Sequence, residues 1–210
     1  MPGVRAIVPV KSYAFAKQRV RRLQPEHRRD LAQQLVATVV DALLRSGRLS
    51  ELLLVGDGDA RDLAWQVGGT WVEDPGLGLN AAVAAGLGRC DRFSERLVVM
   101  GDLPMLAPDD VRAAVAHGTP VTLFASRSRT GTNAVLYRAG FGMPPLFGGP
   151  SLAHHLTWAA RNALAVEVVY ETGFSLDVDT DADLLLARRR GFPFPRVDGL
   201  PGVAAGVDPI

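Results

Sequence analysis

The sequence predicts an α/β fold, a mostly parallel central sheet flanked by helices on both faces. Three observations carry that expectation. Short apolar runs alternate with longer segments whose apolar residues recur every three or four positions, the pattern of strands joined by crossover helices. Several runs are apolar throughout, such as Leu52-Leu53-Leu54-Val55 and Leu97-Val98-Val99-Met100, as strands covered on both faces are. The length, 210 residues of which 48% are apolar, suits one domain with a sizeable core.

Residues 4–10 form the first predicted strand, and residues 11–22 follow as a basic segment with Lys11, Lys17, Arg19, Arg21 and Arg22. A long helix is predicted over 25–44, with Leu31, Leu35, Val39 and Leu43 at steps of four and Pro25 at its start. A strand at 52–55, a short helix at 60–67 and a brief strand at 70–72 come next. The helix at 80–87 is entered through Pro75-Gly76-Leu77-Gly78. The strand at 97–100 ends at Gly101-Asp102-Leu103-Pro104, because proline cannot donate to a ladder and biases the residue before it toward extended geometry. A helix at 108–117 carries Asp109 and Asp110 in its first turn, and a strand at 121–124 follows. The pattern then loosens. Residues 126–133 are polar, 134–137 form a strand, and 141–150 are rich in Gly and Pro. A helix is predicted over 151–162, a strand over 166–170 and a last helix over 180–190. Residues 1–190 thus form one domain, and 191–210, with four prolines, are expected as a loosely attached tail.

Composition excludes several classes. A net charge of +1 gives no polyanion signature, so nucleic acid is not an expected partner. One cysteine, Cys90, excludes an internal disulfide and an all-cysteine metal site. No run of about 18 apolar residues occurs, so no membrane span is expected. The N-terminus carries no signal-peptide pattern, and a cytoplasmic location is expected.

Asp102 stands just past a strand end, where open α/β sheets bind ligands. A carboxylate fixed there can hold a divalent cation against a phosphate, or cap the next helix. Lys11, Lys17 and Arg19 follow the first strand and can neutralise a triphosphate, or form a solvated basic surface. There is no Walker A pattern, and Gly56-Asp57-Gly58 has Arg61 where a dinucleotide fingerprint needs its third glycine. In Gly76-Leu77-Gly78-Leu79-Asn80 the glycines admit close backbone approach. Asn80 suits a nucleobase or ribose, or caps the helix. Thr130-Gly131-Thr132-Asn133 is either an anion nest or a hairpin turn. Gly148-Gly149-Pro150-Ser151 opens a helix with Ser151 as its cap, an arrangement suited to a second anion. His154 and His155 lack metal spacing and fit surface or packing roles. Asp177 and Asp179 are candidate metal ligands, while Asp181 and Asp183 fit a helix start.

The ordered set Val8-Pro9-Val10-Lys11…Lys17-Gln18-Arg19, Gly78-Leu79-Asn80, Gly101-Asp102-Leu103-Pro104, Gly131-Thr132-Asn133-Ala134, Phe147-Gly148-Gly149-Pro150-Ser151…His154 and Asp177-Val178-Asp179-Thr180 resembles the phospholactate/phosphoenolpyruvate guanylyltransferases of coenzyme F420 biosynthesis. Val20 stands where a leucine is usual, Gly101 where an alanine is, and Asp181 where a proline is. The resemblance implies a nucleotidyltransferase-like fold with a small β-containing, acceptor-binding part in the C-terminal third. It implies a reaction in which GTP and a small phosphorylated carboxylic acid give a guanylylated acid and pyrophosphate. Lys11, Lys17, Arg19, Gly78, Asn80 and Asp102 would bind GTP. Thr132, Gly148, Gly149 and Ser151 would bind the acid, and Asp102 with Asp177 or Asp179 would hold Mg²⁺. Lys11, Lys17 and Asp102 would carry the catalysis. Family members use phosphoenolpyruvate, 2-phospholactate or 3-phosphoglycerate, and the Arg- and Ala-rich composition favours the first. A homodimer is compatible with the resemblance. Molybdopterin guanylyltransferases and sugar-phosphate cytidylyltransferases are rivals of the same fold, but their first loop is glycine-rich and this one has no glycine. A non-catalytic nucleotide-binding protein would not need the retained acids and lysines.

Overall fold

Residues 3–194 are described in the computed structural model. Among them, β1 (Val4–Val10), β2 (Leu49–Gly56), β3 (Thr70–Glu73), β4 (Arg96–Val99), β5 (Val121–Ala125), β6 (Thr132–Tyr137) and β7 (Val166–Val169) form one sheet in the order β3-β2-β1-β4-β6-β5-β7. Every pairing is parallel except those of β6, which runs antiparallel to both β4 and β5. The β-containing part expected in the C-terminal third contributes β7, which joins the main sheet beside β5.

The helices are α1 (Pro25–Arg45), α2 (Gly58–Val67), α3 (Leu79–Gly88), α4 (Pro108–Ala114), α5 (Ser151–Arg161) and α6 (Asp181–Arg189). The double-sided burial expected of the apolar strands follows from how they are covered. In β1, Ala6, Val8 and Val10 pack with Val36, Val39 and Val40 of α1, while Ile7 packs on the opposite face with Ala82 and Val83 of α3. A Cβ on Gly86 of α3 would stand 2.5 Å from Ile7 Cγ2 and 2.9 Å from Val55 Cγ2, so glycine sets how closely this helix approaches the sheet. A third apolar cluster joins Val20 and Leu23 to Leu31 and Leu35 of α1 and to Leu184 and Ala187 of α6.

Phe192 and Phe194 complete that cluster. Residues 191–194, expected as the start of a loose tail, are thus packed, and Gln34 donates to the Pro193 carbonyl at 3.2 Å. The remainder of the expected tail, 195–210, lies outside the described residues. β6 begins at Thr132, earlier than the apolar run at 134, because Thr132 pairs with Ala125 of β5. Residues 126–131 close this hairpin, with Ser126 N–H donating to the Gly131 carbonyl at 2.9 Å.

Candidate active site

The carboxyl ends of β1, β2, β3 and β4 open into a cleft of about 750 Å³. Lys11, Lys17, Arg19, Gly78, Asp102 and Asp179 all line it. They come together because parallel strands deliver the loops that follow them to the same edge.

The loop after β1 is held by its apolar residues and presents its basic ones. Tyr13, Ala16, Val20 and Leu23 are buried, whereas Lys11 and Arg19 are exposed. A single 3-10 turn (Tyr13–Phe15) is fixed from α2, where the Asp59 carboxylate accepts the Tyr13 N–H at 2.9 Å. Burial, then the charges of Asp59 and Asp57, push the Tyr13 phenol up to about 12. Lys17 has φ 54°, a left-handed conformation that costs a non-glycine residue on the order of 1 kcal/mol. Its side chain is 11% exposed and its Nζ lies 2.7 Å from Asp102 Oδ2 and 3.7 Å from Asp179 Oδ1. Arg19 pairs with the other oxygen of Asp179. Asp102 and Asp179 thus share one cationic group, and Lys17 and Asp102, expected to serve triphosphate and metal separately, are bonded to each other.

Asp177 does not line the cleft, but it feels the charges of Asp102 and Asp179. The Asp102 carbonyl accepts the Val178 N–H at 3.1 Å, which draws the 175–179 segment against the end of β4. The antiparallel course of β6 supplies the rest. Its first residues return to the edge where β4 ends, and the Asn133 carbonyl accepts the Met100 N–H at 2.9 Å. The Asn133 amide donates to the Phe174 carbonyl at 2.9 Å and to Asp177 Oδ1 at 3.3 Å. Burial raises the Asp177 pKa, the neighbouring Asp102 charge raises it further, and the Asn133 hydrogen bond lowers it in part. Two carboxylates close enough to repel, with only oxygen donors, suit a hard divalent cation. The full trio Asp102, Asp177 and Asp179 is not gathered at metal-ligand spacing: among the described residues no three His, Cys, Asp or Glu side chains form such a group. Asp179 instead meets Lys17 and Arg19.

The expected acceptor residues are arranged differently from the sequence reading. Thr132 and Ser151 are buried and face each other, and Ser151 Oγ accepts the Thr132 N–H at 2.8 Å. Ser151 is therefore not the cap of α5. Pro150 stands at that position, and Ser151 is the first helical residue. Of the free N–H groups expected at this helix start, that of Leu152 donates to the Thr130 carbonyl at 3.0 Å. Gly148 and Gly149 have φ 94° and 52°, with nothing within 4 Å of where a Cβ would stand. Only glycine holds two such torsions in sequence at little cost, and the turn is left open on its outer side.

Asn80 also departs from expectation. Gly78, not Asn80, is the N-cap of α3. The Asn80 amide donates to the Phe147 carbonyl at 3.0 Å, and its oxygen accepts the Phe147 N–H at 2.8 Å. Asn80 does not line the cleft with Gly78; it fastens the segment that carries the Gly148-Gly149 turn.

His155 is the residue the sequence undervalued. His154 is exposed, but His155 is fully buried. Its Nδ1 lies 3.1 Å from Thr132 Oγ1, and its Nε2 accepts the Leu146 N–H at 3.3 Å. The tautomer follows: Nδ1 carries the proton and donates to Thr132. Phe147 meets the ring edge-on at 5.2 Å. Burial lowers its pKa from 6.5 to about 4, so it is neutral at pH 7. The only available signal was its place four residues after Ser151 on the buried face of α5. Asp183 behaves as a helix-start acid, accepting the Thr180 N–H at 2.9 Å in a capping box.

The guanylyl transferase CofC-like family matches residues 4–187 of the chain. A phosphoenolpyruvate guanylyltransferase of Sphaerobacter thermophilus is 33% identical over 185 residues, covering 85% of this chain and 89% of the relative. A 2-phospho-L-lactate guanylyltransferase of Methanothermobacter thermautotrophicus is 29% identical over 184 residues, covering 85% of this chain and 81% of the relative. Among solved structures, an inositol-1-phosphate CTP transferase from T. maritima superposes with a TM-score of 0.59 at 16% identity, over 90% of this chain and 95% of that one. At such identity the likeness establishes the nucleotidyltransferase-type α/β fold. No helix among the described residues is long and apolar enough to cross a membrane.

Proposed function

The chain belongs to the guanylyl transferase CofC-like family, and from that premise we propose that it joins GMP from GTP to the phosphate of a small phosphorylated carboxylic acid, in coenzyme F420 biosynthesis, with phosphoenolpyruvate the favoured acid and Mg²⁺ the required ion. The observation that carries the reading is the ion network Asp102–Lys17–Asp179–Arg19 inside the cleft, with the half-buried Asp177 nearby. Relatives named phosphoenolpyruvate guanylyltransferase at 33% identity, against 29% for the 2-phospho-L-lactate relative, favour the acid.

An oxygen of the acid's phosphate attacks the α-phosphorus of GTP. The bond from that phosphorus to the bridging oxygen of the β-phosphate breaks, and pyrophosphate leaves with the electron pair. No protein base is needed, since a phosphate monoester with a second pKa near 6 is largely dianionic at neutral pH. This accords with a site in which the one buried histidine is neutral and hydrogen-bonded at both nitrogens. Alignment and charge neutralisation then lower the barrier. Lys11 and Lys17 reach the phosphates from a loop pinned by buried Tyr13 and Val20, and Arg19 steadies the departing pyrophosphate. Asp102 and Asp177 would hold Mg²⁺, which supplies Lewis-acid neutralisation of the α-phosphate when bound. Asn80, Thr132, Ser151 and His155 keep the Gly148-Gly149 turn in place, and its backbone N–H groups receive the acid.

Pyrophosphate release from GTP is measured with phosphoenolpyruvate, 2-phospholactate and 3-phosphoglycerate, in Mg²⁺ and in EDTA. Release with phosphoenolpyruvate, lost in EDTA, is expected. Release with none of the three acids refutes the transferase reading.

A further inference from the structure

The cleft has two chemically different ends. Its lining cations, Lys11, Lys17 and Arg19, belong to the loop after β1. Beyond β2 and β3 the lining offers Asp57, Asp74, Gly76, Gly78 and Leu79, with no cation. A triphosphate is repelled by two carboxylates and drawn to the lysines. The acidic end instead suits a group that donates hydrogen bonds.

Asp57 is already committed, because its Oδ1 accepts the Asp59 N–H at 3.1 Å and caps α2. Asp74 caps no helix. It is half-buried, its own N–H donates to the Gly56 carbonyl at 3.2 Å, and its Oδ1 accepts the Gly76 N–H at 2.9 Å. Those two bonds fix both the backbone and the plane of the carboxylate. Beside it, Gly76 and Gly78 hold φ +73° and +91°, with nothing within 4 Å of where a Cβ would stand. A flat ring can lie against this backbone, with Leu79, 41% exposed, as apolar support.

The geometry points to Asp74 as the residue that selects guanine, its carboxylate accepting the base N1–H and 2-amino hydrogens as a pair. The inference rests on the guanylyltransferase reading and adds where the base is recognised. Adenine has no N1–H and turns a lone pair toward the carboxylate. Hypoxanthine keeps N1–H but lacks the 2-amino group. Xanthine places a carbonyl oxygen where guanine has the amine. A carboxylate therefore ranks GTP above ITP, and both above ATP and XTP. An asparagine, presenting one oxygen and one NH₂, matches xanthine instead, and its oxygen can still accept the Gly76 N–H.

The test is Asp74→Asn. Steady-state pyrophosphate release with phosphoenolpyruvate is measured for GTP, ITP, XTP and 2′-deoxyGTP in both proteins, with melting temperature as a check of folding. A hydrogen bond to a charged group contributes enough for kcat/KM with GTP to fall roughly tenfold to a hundredfold. The expected signature is a gain: the ratio of XTP to GTP use rises by at least a similar factor, which misfolding cannot produce. The GTP to 2′-deoxyGTP ratio stays unchanged. A folded variant with an unaltered XTP to GTP ratio overturns the inference. So does a change confined to 2′-deoxyGTP, which would place Asp74 on the ribose. Should the wild type transfer GMP to no acid, the transferase reading fails by itself, and calorimetric binding of the same four nucleotides to both proteins decides the role of Asp74.

Discussion

Acidification should destabilise the fold through His155. The ring is fully buried and bonded at both nitrogens. A second proton would land on Nε2, against the Leu146 N–H that now donates to it. Burial lowers the pKa from 6.5 to about 4. Between those values the unfolded chain binds more protons than the folded one, so this contribution to stability is complete above pH 6.5 and is lost as pH falls toward 4. The shift corresponds to about 3 kcal/mol in all, of which about 2 kcal/mol is gone by pH 5. In a chain of this length that is a fall in Tm of roughly 4–8 °C. Other groups titrate over the same range, so the assay compares wild type with His155→Gln, whose amide oxygen can still accept the Leu146 N–H. Thermal or urea unfolding is followed at pH 7 and pH 5. The variant should be the less stable at pH 7, and the gap should narrow by about 2 kcal/mol at pH 5. A gap that does not change with pH refutes the argument.

Three further outcomes follow from the site. Asp102→Asn should lower turnover by at least about 100-fold while circular dichroism and Tm show an intact fold; near-normal turnover would end its assignment to the metal. Asp177→Asn should abolish Mg²⁺-dependent turnover and yet raise Tm at pH 7, by up to about 4 °C for each kcal/mol gained. The sign follows from its raised pKa: the fold favours the protonated acid, so this carboxylate becomes destabilising as pH rises through that pKa, and the neutral amide removes the effect. A melting point that drops would show the Asn133 bond outweighs the burial. Asn80→Ala should raise KM for the acid several-fold and leave KM for GTP nearly unchanged, because the amide holds the Phe147 backbone; the reverse pattern would return Asn80 to the nucleotide.

What the sequence showed depended on whether the signal was local. Apolar runs separated by amphipathic stretches gave the strands and helices of the first 125 residues nearly in place. Because parallel strands present their carboxyl ends to one edge, Lys11, Lys17 and Asp102 could be assigned to one site without coordinates. The motif resemblance pointed to the correct family by the same local route. Pairing partners were another matter. An asparagine, serine or histidine takes its role from whichever group lies within hydrogen-bond reach, and Asn80, Ser151 and His155 find theirs 67, 19 and 23 residues away. The pattern of Ala134-Val135-Leu136-Tyr137 marks a strand but carries no direction, and the polar Thr132 and Asn133 ahead of it masked where the strand begins.

The sequence by itself therefore determined the α/β layering and the sheet edge at which Lys11, Lys17, Arg19, Asp102 and Asp179 line one cleft. The tertiary structure alone decided that β6 enters the sheet antiparallel between β4 and β5. That single reversal sets Asn133 against Asp177 and Thr132 against Ser151 and His155. The physical reason is that hydrophobic periodicity specifies which residues leave water, whereas a polar side chain that leaves water is specified by its partner, and the partner is fixed only when the whole sheet is assembled.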